Sequence, residues 1–105
     1  MVDIDEFRQW ALSFPDTVEL PHFDLVSFRR NKKIFSTWWP KQNRAMLKLS
    51  LVDQSVFCAY DNKIFFPVPG GWGKRGATFV ELKKVRKDMF KDALKLAYEL
   101  AGSKK

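Results

Sequence analysis

Apolar positions recur along the chain with two periods. Ile4, Phe7, Trp10, Ala11 and Phe14 fall on one face of a helix over residues 3–14. Asp3 is placed to cap that helix, Glu6 follows at the capping-box position, and Pro15 ends it. Met89, Phe90, Ala93, Leu94, Ala97, Leu100 and Ala101 mark a second helix over residues 86–101, stopped by Gly102. A third is expected after Ser50, with Val52, Val56, Phe57 and Tyr60 as its inward side and Asp61-Asn62 as its end. Five stretches have strand length: Leu25–Arg30, Lys33–Trp38, Arg44–Ser50, Lys63–Phe66 and Thr78–Leu82. Asn31 tolerates the left-handed conformation, so Asn31-Lys32 predicts a tight hairpin. Ala45, Leu47 and Leu49 alternate with Met46, Lys48 and Ser50, which predicts a sheet with one buried and one wetter face. Leu20-Pro21-His22-Phe23-Asp24 reads as an irregular link, and Ser103–Lys105 is expected to fray. The order is α-β-β-β-α-β-β-α, an α/β (α+β) class in a single domain, residues 1–105.

Residues 66–78 hold four of the five glycines and two of the five prolines, so the loop there has a defined path. Gly71, Gly73 and Gly76 match G-x-G-x-x-G, but an extended run, Ala77 to Leu82, follows where a dinucleotide site needs a helix. Two readings remain: a tight structural connection, or an anion cradle made by backbone N–H groups. At least one of Gly73 and Gly76 is expected to take a positive φ. Trp72 is either buried under the loop or exposed for stacking.

Composition sets limits. Apolar residues are 46% of the chain, enough for a core without disulfides, and Cys58 is the single cysteine. No run reaches the ~20 apolar residues of a membrane span, and the acidic N-terminus does not resemble a signal peptide. A cytoplasmic protein, monomeric and without membrane contact, is the expectation. The net charge is +7, unevenly placed: −5 over residues 1–24 and +12 over residues 25–105. A basic body favours anionic partners. His22, the only histidine, has no second ligand beside it, no serine sits in a nucleophile-elbow pattern, and no triad, carboxylate pair or metal cluster is readable. No catalytic residue, metal or cofactor is therefore expected.

The element order, together with Pro21-His22-Phe23, Phe28-Arg29, Lys33-Ile34-Phe35, Leu47-Lys48-Leu49 and Trp72-Gly73-Lys74-Arg75-Gly76-x-Thr78, resembles the MmcQ/YjbR family, small bacterial proteins labelled DNA-binding. The resemblance covers nearly the whole chain. It departs at Ala77, where members often carry a bulky aromatic. It implies a two-layer domain, a five-stranded antiparallel sheet in the order 1-2-5-4-3, and DNA binding. That order places two basic patches at opposite ends of the sheet. One combines Trp39, Lys41 and Arg44 with Trp72, Lys74 and Arg75, and is the expected nucleic-acid site. The other gathers Arg29, Arg30, Lys32 and Lys33 with Lys83, Lys84 and Arg86. The alternative is a protein-interaction module: the fold also resembles type III secretion chaperones, and basic ends suit an acidic or extended peptide partner.

Overall fold

Asp3 opens the first helix as its spacing predicts. Its carboxylate accepts from the Glu6 N–H (2.8 Å), and the Glu6 carboxylate accepts from the Asp3 N–H (3.2 Å). Two orphan donors of the first turn are thereby satisfied reciprocally. In the computed structural model, which describes residues 1–102, the elements run α1 (Ile4–Ser13), β1 (Thr17–His22), β2 (Leu25–Arg30), β3 (Lys33–Trp39), β4 (Arg44–Lys48), α2 (Leu51–Tyr60), β5 (Phe65–Pro67), α3 (Gly71–Lys74), β6 (Ala77–Glu81) and α4 (Lys87–Ala101). The fraying expected at residues 103–105 lies outside the described residues.

The sheet is antiparallel throughout and has six strands, not five, in the order β1-β2-β3-β4-β6-β5. The additional strand is β1. It pairs with all of β2, from Thr17 opposite Arg30 to His22 opposite Leu25. Pro21 removes a donor from it, which an edge strand tolerates. The expected strand order also fails. A tight turn ending at Asn43 (φ 54) makes β3 and β4 a hairpin, and β6 joins the far side of β4. Because β6 pairs antiparallel with β4 and not with β3, its direction is the reverse of the one expected. Its exit therefore moves to the other end of the sheet.

Helices α1 and α4 pack on one face, as the two-layer domain implied by the resemblance requires. Phe7 meets Phe28 (5.0 Å between ring centroids) and Phe90 (5.1 Å), while Phe14 stacks on Tyr98 at 4.5 Å. Trp10 lies 6.2 Å from Phe90. Leu94 and Ala97 are fully buried in the same cluster. Helix α2 joins this layer through Phe57 against Phe65, and Ser50 caps it by accepting from the Asp53 N–H (3.1 Å). Its orientation differs from the expected one: Val52, Val56 and Tyr60 are exposed, whereas Gln54 and Phe57 are buried. The helix lies over β5, a three-residue strand at the sheet edge, so only a narrow strip of its surface is covered.

Candidate functional site

All three long helices lie on one side of the sheet, and the opposite face is left uncovered. Side chains alternate along a strand, so each row of paired residues belongs to one face. The row Phe28, Ser36, Leu47, Thr78 is on the helix side and buried. The neighbouring row Leu20, Ser27, Thr37, Met46, Phe79, Phe66 is on the open side. A groove of about 520 Å³ runs along this face. Leu25, Ile34, Trp39, Met46, Val68 and Ala77 form its apolar lining, with Arg29, Lys32 and Lys48 as its cations. His22, Phe23, Thr37 and Trp72 complete it, and among the described residues no carboxylate lines it.

Two hydroxyls beneath the surface hold groove side chains in place. Ser27 is fully buried; its Oγ donates to the Leu20 carbonyl (2.8 Å) and accepts from Arg29 Nε (3.0 Å). Thr37 Oγ1 accepts from the indole Nε1 of Trp39 (2.8 Å), whose ring stands edge-on to Phe79 at 5.0 Å. Arg29 and Trp39 are therefore oriented by groups that sequence inspection did not single out.

The loop carrying Trp72 is built for shape. Helix α3 is a single turn within it, not part of the sequence expectation. Gly76 has φ +109, and a Cβ on it would collide with the Leu49 carbonyl; a Cβ on Gly73 would collide with that of Val68. One glycine serves the backbone angle and both serve close approach. The N–H groups of Lys74, Arg75 and Gly76 donate to the carbonyls of Gly70, Trp72 and Gly73. Those amides are spent inside the loop, which favours the structural connection over an anion cradle. Gln54, a buried residue of α2, pins the loop further: its Nε2 donates to the carbonyls of Gly73 (2.9 Å) and Ala77 (3.2 Å). Trp72 is held on this scaffold with 64% of its surface exposed, so it is not a core residue.

The expected patches are regrouped by the true strand order. The Asn31-Lys32 hairpin and the Gly70–Gly76 loop share one end of the sheet, while the Trp39–Arg44 turn and Lys83-Lys84 share the other. Of the six residues expected at the nucleic-acid site, Trp39 and Trp72 line the groove together. Lys41 is exposed in the turn beyond Trp39. Arg44 is occupied: it donates to Glu81 Oε2 (2.6 Å) and lies over the Phe66 and Phe79 rings. Lys74 and Arg75 are exposed, and Arg75 faces a smaller cavity of about 360 Å³ with Lys33 and Lys48 near the end of α4. From the second patch, Arg29 and Lys32 belong to the groove. Arg30 instead donates to the Tyr98 carbonyl (3.1 Å) and sits 4.1 Å over that ring. Lys83, Lys84 and Arg86 are exposed at the far end, where Arg86 pairs with Asp88 (3.0 Å). Lys48 and Phe23 were missed. Strand alternation placed Lys48 opposite the buried Leu47 and Leu49, which was the available signal.

Lys87 Nζ bonds Glu6 Oε2 (2.6 Å), and this hydrogen bond, with the Asp3 N–H, holds the Glu6 carboxyl below its ordinary range and lifts the Lys87 ammonium. Glu19 raises the Arg8 guanidinium through a 2.8 Å bond, and burial pushes the Cys58 thiol up. Among the described residues no group of three His, Cys, Asp or Glu side chains is placed to hold a metal, and no helix is long and apolar enough to cross a membrane.

No protein-family model matches the chain, and no curated protein matches it by sequence. The chain is similar in structure to the Deinococcus radiodurans protein DR2400, whose crystal structure is described as a DUF419 domain. The two share 18% identity with a TM-score of 0.87, over 99% of this chain and 81% of that one. At that identity the likeness shows the fold alone: this chain is built on the architecture of a DUF419 domain protein.

Proposed function

We propose that this protein is an MmcQ/YjbR-like module that binds single-stranded nucleic acid, with DNA favoured, on the open face of its sheet and without catalysis. The observation that carries the reading is the lining of the groove. It combines Trp39 and Trp72 with Arg29, Lys32 and Lys48 and has no carboxylate among the described residues. Cations neutralise phosphates whatever the sequence, and aromatic faces stack on unpaired bases. Duplex DNA offers the phosphates but keeps its bases stacked, so single strands gain an increment that duplex does not. The +12 balance over residues 25–105 supplies long-range attraction to either form. Members of the MmcQ/YjbR family are labelled DNA-binding, which agrees with this choice of ligand.

Titration with single-stranded DNA, duplex DNA and heparin at two salt concentrations tests the reading. Single strands should bind tightest, and the preference over duplex should survive added salt. Equal binding of all three polyanions would reduce the groove to general electrostatic attraction. An acidic extended peptide that outcompetes single-stranded DNA would move the assignment to a protein-interaction module.

A further inference from the structure

We propose that Phe23 is a further stacking platform for single-stranded nucleic acid, held at the end of the groove away from Trp72 at a cost to fold stability. The inference rests on the reading of the groove given above. Phe23 and Asp24 form the two-residue loop between β1 and β2. Of these two, only Phe23 has a positive φ, +59. Two-residue hairpin loops with a positive first residue call for glycine there, because a side chain strains the backbone. A bulky aromatic in that conformation is a genuine outlier. Such strain is ordinarily offset by packing, but here 93% of the Phe23 surface is exposed. Among the described residues its sole aromatic neighbour is His22, at 4.9 Å. Among the described residues no other large hydrophobic side chain is as exposed.

What Phe23 does have is a position. It lines the groove with Trp72, Trp39 and the three cations. His22 and Leu25, which flank its turn, lie at the same end of the sheet as Trp39, whereas Trp72 lies beyond the opposite end, near the start of β6. The five residues of β6 cover roughly 13 Å at ~3.3 Å per residue, so the two exposed aromatics are too far apart to hold one base between them. They suit two separated bases of one extended strand, with Arg29, Lys32 and Lys48 available to its phosphates. The absence of any carboxylate from the lining fits that polyanionic occupant better than a neutral or basic one.

Phe23 thus acts with opposite signs in folding and in binding. The experiment measures melting, and titration with a labelled oligothymidine of about a dozen nucleotides and with duplex DNA, for the parent, Phe23→Gly and Phe23→Leu. Phe23→Gly relieves the strain, so it should melt with the parent or up to about 5 °C higher. It should bind oligothymidine at least about fivefold more weakly and duplex unchanged. Phe23→Leu keeps both apolarity and strain; it should melt like the parent yet lose the same affinity. Parental affinity in both variants, or in Phe23→Leu alone, would overturn the stacking role, and a lower melting temperature for Phe23→Gly would overturn the strain. A parent that shows no preference for oligothymidine over duplex would bring down the reading of the groove, and this inference with it.

Discussion

The two faces of this sheet are built from the same strands and obey different rules. On the covered face, Phe28, Phe35, Leu47, Val80 and Phe65 are fully buried against three helices. On the open face Leu20, Leu25, Ile34, Met46 and Phe66 keep part or much of their surface, and Trp72 and Phe23 keep most of theirs. Acids stand outside the groove, and Glu81 on the open face is taken up by Arg44. Glu19, on the covered side of β1, pairs with Arg8 of α1, and Glu6 pairs with Lys87 of α4, whereas the groove holds three cations and no acid. Apolar burial is the main source of stability, so folding depends on the first face. The second is free to carry chemistry that burial would not tolerate.

Separate roles for the two faces can be broken by substitution. Phe28→Ala should cost about 3–5 kcal/mol, a large share of a small domain's stability, because it empties a site between Phe7 and the sheet. Chemical denaturation measures it; a cost under ~1 kcal/mol would mean that the covered face is not the core. Gly76→Val should cost more than ~1 kcal/mol, since φ +109 and the Leu49 carbonyl both oppose a side chain. A near-neutral result would detach the shape of the loop from its glycines.

Substitutions on the open face should spare the fold and change binding. Replacing Arg29, Lys32 and Lys48 together by Ala should leave melting close to the parent's. The slope of log affinity against log salt should fall by roughly 2 on single strands, at about 0.7 per lost phosphate contact. An unchanged slope would place the phosphates elsewhere, with Lys83 and Lys84 at the far end as the next cations to alter. The smallest effect lies on the covered side. Glu6 has a lowered native pKa, so its contribution to stability is present above the ordinary carboxylate pKa and is lost as pH falls through the native value. The melting difference between the parent and Glu6→Gln should therefore shrink as pH drops below 4.5, the ordinary value. A difference independent of pH would assign it to packing or to the helix cap.

Much of the covered face was legible in the sequence. Helical spacing from Ile4 to Phe14 and from Met89 to Ala101 identified α1 and α4, and Asp3 and Ser50 marked the caps of α1 and α2. Strand β1 was not legible, because Val18 and Leu20 point to solvent while Glu19 is turned toward α1, so its alternation runs against the usual sense. Exposure of Val52, Val56 and Tyr60 was misread because periodicity reports an apolar stripe and not what covers it. The site suffered most from strand order. Local pattern names β4 and β6 as strands but does not say that they are neighbours, and this long-range pairing decides which cations meet which tryptophan. Ser27, Thr37 and Gln54 were invisible for a similar reason: their hydrogen bonds exist only once distant segments are brought together.

Trp72 is where the division between a binding open face and a folding covered face is best tested. Trp72→Ala removes an exposed ring without opening a cavity, so its melting temperature should stay close to the parent's. Its affinity for single-stranded DNA should fall by the worth of about one stacked base, on the order of 1–3 kcal/mol, while duplex affinity hardly moves. A stable Trp72→Ala protein that binds single strands like the parent would contradict the account.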